Sequence, residues 1–461
     1  MDIIPEGDFE EELGLADGRP DFTTGSIHGP VLRLAIYAML AMLFHSTYSV
    51  IDMMWLGWIS KEAIAGVGAY AQFMMLLAIF NQIVAMGSLT LISRSYGAKN
   101  YEETSEVIGQ TFTFKILFVL PWAVLGYFFI YDALILYGAA EDVAALGSQY
   151  GRIMILAMPM YFSGFTLNTG FRSIGDVKKP MILAAITMLL NIFLDWLFIY
   201  IFNWGVRGAA IASVISQGVF FAAALYIFFS GRTFVSLRLR HLTRPKLKWI
   251  LKFIKIGAPA TLGDACRFTA HFVVGSVVMG FGTVAFAALG IVGRLMELSW
   301  IPLFGIDTAA STLVGQNLGA DKPERAEETV LWATFFGIGV TGVLAVIGYF
   351  LAPSLMRVFN DHPDVVAEGV TIIRFLAFGI MFISVSMGLA AAFWGSGHTV
   401  PLAIISVLSL WVVQIPLMII FVKVLKLDVE FVWLSLIVAE FVACILAIVL
   451  FSKSDWKHKK V

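Results

Sequence analysis

Twelve apolar runs recur along the chain, at 33–58, 64–92, 108–131, 150–171, 180–202, 208–229, 250–280, 284–313, 329–351, 370–394, 401–424 and 431–452. Each is close to or above the roughly 20 residues that a helix needs to cross the hydrocarbon of a bilayer. No water reaches backbone N–H and C=O groups there, so spanning segments are confined to helices or a closed barrel. Runs of this length select helices. Composition agrees, since 59% of the 461 residues are hydrophobic and 14% are charged, against about 25% charged in a soluble domain. The expected fold class is therefore an all-α integral membrane protein with twelve transmembrane helices. A net charge of −1 points to no nucleic-acid partner. Cys266 and Cys444 both fall in apolar runs and read as small packing residues, with no disulfide framework or metal site.

Basic residues fix the expected orientation. Arg94 and Lys99, Arg172 with Lys178 and Lys179, Arg232 to Lys248, Lys322 and Arg325, and Lys453 to Lys460 all fall in alternate connections, which should be cytoplasmic together with both termini. Residues 1–28 carry eight acids and one arginine and read as a solvated acidic tail. That segment lacks the basic start and apolar core of a cleaved signal, so the first spanning helix should also direct insertion. A short basic tail follows at 453–461.

The longest polar break, the basic linker at 231–249, divides the spans into a first lobe at 29–230 and a second at 250–452. The halves repeat. AIAGVG at 63–68 matches AFAALG at 285–290, and YGAKN at 96–100 matches LGADK at 318–322, both at one offset (285 − 63 = 222). Gly175 meets Gly397 at the same offset, whereas Pro180 meets Pro401 at 221, which implies a one-residue deletion in the second half. Because each repeat has an even number of helices, the two six-helix lobes share one orientation. They are then related by pseudo-twofold symmetry along the membrane normal, an architecture that suits alternating access around a central site.

Ionisable groups inside these runs mark the candidate site. Asn191 and Asp195 are four residues apart and share one helical face in the fifth run. Asp52 lies in the first run and Ser213 in the sixth. Each is about six to eight residues from the outer end of its helix, roughly 9–12 Å at 1.5 Å per residue, so the groups can meet at one level. Two carboxylates, an amide and a hydroxyl fit either a sodium-like cation, which prefers oxygen ligands, or a shared proton. Asn168, Tyr48 and Tyr150 are candidates for the wall of the same cavity, although ordinary packing accounts for each taken singly.

With these residues in view, the chain resembles the multidrug and toxic compound extrusion (MATE) family from about residue 29 to the last helix. The likeness rests on LVGQNLGA at 313–320, GFRSIGD at 170–176 and the Asn191 and Asp195 pair. The resemblance implies a secondary antiporter in a prokaryotic plasma (inner) membrane that exports organic cations or amphiphilic drugs in exchange for H+ or Na+. It implies no other cofactor, a membrane-lipid surround and a monomer. Its cation site maps onto Asp52, Asn191, Asp195 and Ser213, the last standing where relatives have Thr, and its cavity residues map onto Tyr48, Tyr150 and Asn168. Tyr37 occupies the place of a first-helix proline. Arg267 occupies the place of a seventh-helix Glu that another branch uses. The alternative within the same superfamily is a flippase of lipids or lipid-linked oligosaccharides.

In the second half Asp264, Arg267, Arg294, Glu297, Asp307, Gln414 and Glu440 form a candidate polar network. Asp264 with Arg267 and Arg294 with Glu297 are three apart and can pair locally, which favours a structural role over substrate recognition by Asp307 or Glu440. No enzyme is expected. The DxxxD spacing at Asp17 and Asp21 falls in the acidic tail, and HExxH is absent.

Overall fold

The structure, a computed structural model, describes residues 20–242 and 244–460. Among these residues there are twelve long helices and no strands. They are α1 (His28–Ile59), α2 (Lys61–Gly97), α3 (Tyr101–Leu136), α4 (Glu141–Ser173), α5 (Lys178–Ile201), α6 (Gly205–Phe229), α7 (Leu247–Met279), α8 (Thr283–Gly319), α9 (Pro323–Arg357), α10 (Pro363–Ser396), α11 (Val400–Val424) and α12 (Glu430–Ser452). Nine of them are apolar and long enough to cross a membrane by length and composition. The other three, α2, α4 and α7, carry more polar positions, and much of α4 is buried against α2, α3 and α6. This is a multi-pass membrane protein.

The repeat is visible in the backbone. Left-handed residues recur in pairs, Lys99 with Asp321 and Gly175 with Gly397 at an offset of 222, then Asn203 with Lys426 and Gly231 with Ser454 at 223. The second half thus has one residue more across α11, not one fewer as the proline match suggests. Wide π-helical turns, which use an extra residue per hydrogen bond, absorb it. They occupy Trp196–Ile201 in α5 but both Val407–Gln414 and Ile420–Val424 in α11.

By contacts the chain forms two units. One is Leu40–Gly257, and the other joins the residues up to Met39 with Ala258–Val461. The divisions fall inside α1 and α7, not at the 231–249 linker. Small residues provide the reason, because they let helix backbones touch in a lipid-embedded bundle. A Cβ at Gly257 would overlap the carbonyl oxygen of Ile83, and one at Gly305 would overlap Met39 and lie 2.7 Å from the carbonyl oxygen of Ala35. These are the same contact in the two halves, since Ala35 corresponds to Gly257 and Ile83 to Gly305 at 222. The start of α7 is thereby held on α2, and the start of α1 on α8.

The polar segments are docked as well. Glu102 at the start of α3 takes Arg240 and, at 3.0 Å, His241 Nε2, while Glu106 accepts from Lys246 Nζ at 2.7 Å and Trp249 Nε1 at 2.6 Å. At the start of α9, Arg325 donates to the carbonyls of Thr24 and Gly25, each at 2.8 Å, and Lys322 to that of Thr23 at 2.7 Å. Phe22, Thr23 and Ile27 are buried there. The acidic N-terminal expectation therefore holds no solvated tail over 20–27, and its remainder at 1–19, with Asp17, lies outside the described residues. Residues 453–460 fold back too, burying Trp456 against Phe451 and pairing Lys457 with Glu327 at 2.6 Å.

Gly257→Ala and Gly305→Ala should each destabilise the protein by about 1–3 kcal/mol through overpacking. Thermal denaturation in detergent should show both melting earlier, while Gly68→Ala, whose added methyl meets nothing within 4 Å, melts no earlier than the native chain.

Candidate cation site

Four helices of the Leu40–Gly257 unit supply the candidate groups. Asp52 and Tyr48 come from α1, Tyr150 from α4, Asn191 and Asp195 from α5, and Ser213 from α6. Helical spacing keeps Tyr48 and Asp52 on one face of α1 and Asn191 and Asp195 on one face of α5. The regular α-helix of α5 ends at Asp195, where the π-helical turns begin. The α5 and α6 backbones then pack closely, because Gly208 faces the main chain of Phe198. Leu194, Phe198 and Ala212 close an apolar cluster beside Asp195 and Ser213.

The side chains converge. Tyr48 donates its hydroxyl hydrogen bond to Ser213 Oγ at 2.9 Å, joining α1 to α6. Tyr150 has the same serine hydroxyl as a hydrogen-bonding neighbour. Asp52 lies within Coulombic range of Asp195, Tyr48 and Tyr150. Burial is nearly complete, with 7% exposure at Asp52 and 0% at Asn191, Asp195 and Ser213.

Among the described residues, neither carboxylate oxygen of Asp195, neither polar atom of the Asn191 amide, nor Oδ1 of Asp52 has a hydrogen-bond partner. Nor does either carboxylate form a salt bridge to a described cation. A buried charge without a partner costs on the order of several kcal/mol, so two acids in this setting call for a proton or a small cation. The oxygen donors fit both. Asp52, Asp195 and the Asn191 carbonyl oxygen offer hard ligands, and the Ser213 hydroxyl keeps acceptor capacity beyond the bond from Tyr48.

The sequence pattern of the MatE family matches residues 38–197 and 259–420, more than two thirds of the chain and part of each half. The chain belongs to the MatE family. It is 27% identical to a probable multidrug resistance protein, YoeA, of Bacillus subtilis, over 92% of this chain and 93% of that one. It is 26% identical to a probable multidrug resistance protein, NorM, of Thermotoga maritima, over 94% of each. Its fold is shared by a MOP superfamily transporter from Pyrococcus furiosus, at a TM-score of 0.88 and 22% identity over 95% of this chain and 98% of that one. The architecture of this MatE chain is thus the twelve-helix, two-lobe fold.

The two halves of the MatE fold have diverged at this spot. At the repeat offsets, Asp52 corresponds to Val274, Tyr48 to Ala270, Tyr150 to Ile372 and, across the longer α11, Asp195 to Met418. Val274, Ile372 and Met418 belong to one apolar core cluster of the other unit. Only the amide has a polar counterpart, as Gln414, buried at the end of a π-helical stretch. Polar chemistry in the first unit is therefore hydrophobic packing in the second.

The remaining sequence candidates are more scattered. Asn168 is half-buried on α4, seven residues beyond Tyr161 and on the face that also bears Tyr150. In the second unit Arg267 pairs across helices with Glu440 at 3.6 Å, with Asp264 in Coulombic range, whereas local pairing of Asp264 with Arg267 was the sequence expectation. Arg294 and Glu297 do pair locally, at 3.3 Å, but both are exposed. Asp307 accepts from Ser311 at 3.5 Å.

Three neighbours of the site escaped the sequence reading, as did one buried lysine of the same unit. Tyr70 packs edge-on against Tyr150 with ring centres 5.3 Å apart, His45 stacks on Tyr48 at 5.9 Å, and Tyr161 lies in electrostatic range of Tyr48 and Tyr70. The lysine, Lys115, is 2% exposed on α3, with its ammonium 5.2 Å from the Phe165 ring centre. A lysine inside the 108–131 run was its visible signal. Tyr161 was signalled by its spacing from Tyr150 and Asn168.

A double-mutant cycle on Tyr48→Phe and Ser213→Ala should return a coupling of about 0.5–1.5 kcal/mol, the value of one neutral hydrogen bond. Thermal unfolding of the two single variants and the double variant measures it, and additive effects would show that the α1 to α6 bond contributes nothing.

Proposed function

We propose that this protein is a secondary antiporter that exports organic cations or amphiphilic drugs in exchange for H+ or Na+ by alternating access of its two lobes. The observation that carries the reading is the pair of buried carboxylates, Asp52 and Asp195, without a protein cation. An acid pair of this kind is stable when it holds one positive charge. Exchange of that charge supplies a free-energy difference between conformations, and a ligand shifts such an equilibrium only by its differential affinity for the two states.

Asp52 and Asp195 carry coupling in this mechanism, and Asn191 and Ser213 complete the coordination. Tyr48 holds Ser213 in place. Tyr150 and Asn168 form part of the substrate cavity, where a cationic substrate and the coupling ion oppose each other's binding. That opposition is reciprocal by linkage. The similarity to the Bacillus and Thermotoga relatives, each named a probable multidrug resistance protein, supports this substrate class. The Asp264, Arg267 and Glu440 cluster serves packing of the second lobe. The chain works as a monomer in a prokaryotic plasma membrane with both termini cytoplasmic.

Sealed vesicles containing the purified protein test the reading when a sodium gradient and a pH gradient are imposed separately and efflux of a cationic dye is followed. One gradient should drive efflux in the native chain. Asp195→Asn and Asp52→Asn should each abolish gradient-driven efflux while dye binding to the detergent-solubilised protein persists. If neither gradient moves dye while fluorescent lipid analogues cross the bilayer, the flippase reading replaces this one.

A further inference from the structure

A cavity of about 200 Å³ lies wholly within the second unit, between α8, α9 and α10, with walls that include Val292, Leu295, Met296, Gly348, Ile373 and Ala377. It is nearly all apolar and smaller than the roughly 300–1,000 Å³ of sites for drug-sized ligands. Its position follows from chain direction. The short 358–362 connection joins the end of α9 to the start of α10, so Gly348 and Ile373, about 9 and 10 residues or 13–15 Å from it, face each other at one depth below that end of the bundle.

One charge is carried by the residue next to a wall residue. Arg374, next to Ile373, is exposed, and its guanidinium lies 5.2 Å from the ring centre of Tyr349, the residue after Gly348. Among the described residues no carboxylate pairs with Arg374. An unpaired guanidinium at this depth is suited to a phosphate, for which its planar fork offers paired donors.

The first half is a built-in comparison. Arg152 sits over Tyr127 at 6.0 Å, the same pair at an offset of 222. There Tyr70, Phe73 and Met74 stand at the places of Val292, Leu295 and Met296, and each set packs in the apolar core of its own unit. The second half has the smaller residue at two of the three places, Val292 for Tyr70 and Leu295 for Phe73.

We propose that this cavity takes one acyl chain of a phosphate-bearing membrane lipid whose phosphate is held by Arg374. The volume selects a chain over a drug-sized ring system, and the bordering charge selects an anionic head. Arg152 belongs to the other unit and lies outside these walls, so it serves as the control for charge alone.

Liposomes containing the native protein and a phosphatidylglycerol probe with a photoreactive group at its acyl terminus test the assignment. Crosslinks should map to α8, α9 and α10 around the cavity. Arg374→Gln should lower this labelling about tenfold, the worth of one charge-assisted hydrogen bond, and Arg152→Gln should leave it unchanged. Ala377→Trp, which fills the cavity, should abolish it, with Ala345→Met as a second filling variant if the first does not fold. A diacylglycerol probe with the same tail should label the native protein only as weakly as the phosphatidylglycerol probe labels Arg374→Gln. Labelling spread evenly over the lipid-facing helices, equal labelling by the two probes, equal loss in Arg152→Gln, or labelling that survives cavity filling would each overturn the proposal.

Discussion

The dependence of everything else on backbone satisfaction in hydrocarbon is direct. Each N–H and C=O in the bilayer core has to find its partner inside its own segment, so the chain is partitioned into helices and its connections are pushed to the two ends. Departures from regular helix are then confined to protected places. The π-helical turns of α5 begin where Asp195 enters the site, and those of α11 absorb the extra residue of the second half. Irregular backbone and buried charge occur together because both need surrounding protein in place of lipid.

Duplication explains why one unit can specialise. The apolar cores of the two units correspond residue for residue over long stretches, as with Leu56 and Val278, Ala63 and Ala285, and Leu134 and Met356. With packing secured twice, one copy kept or acquired two unpaired acids at positions that the other fills with Val274 and Met418. In the second unit the intramembrane acid Glu440 is instead paired, with Arg267. Carboxylates with a protein partner gain little from an exchangeable ion, and those without one depend on it. This difference, more than the number of acids, distinguishes the two units.

The same small residues that allow close packing set the boundaries of the units. Gly257 and Gly305 bring backbone against backbone, so the opening turns of α7 and α1 are fixed to α2 and α8. Polar segments reinforce the arrangement at the starts of α3 and α9, where Glu102, Glu106 and Arg325 hold the adjoining chain. Neither effect is visible as hydropathy. A glycine in a lipid-compatible run has no sequence mark of which partner it meets, and a carbonyl acceptor has no side chain to read.

The sequence by itself determined the helical class, the twelve runs, the 222-residue repeat and the identities of the intramembrane polar groups, because periodicity, length and the cost of charge in lipid are properties of single segments. It also made a common depth for Asp52, Asp195 and Ser213 computable, since helical rise is fixed. Only the tertiary structure decided that Tyr48 closes onto Ser213, that Arg267 turns to Glu440 and not to Asp264, and that Tyr70, Tyr161 and His45 join the surroundings of the site. Those outcomes depend on the rotation of each helix about its axis and on close approaches between distant segments, which no local pattern encodes.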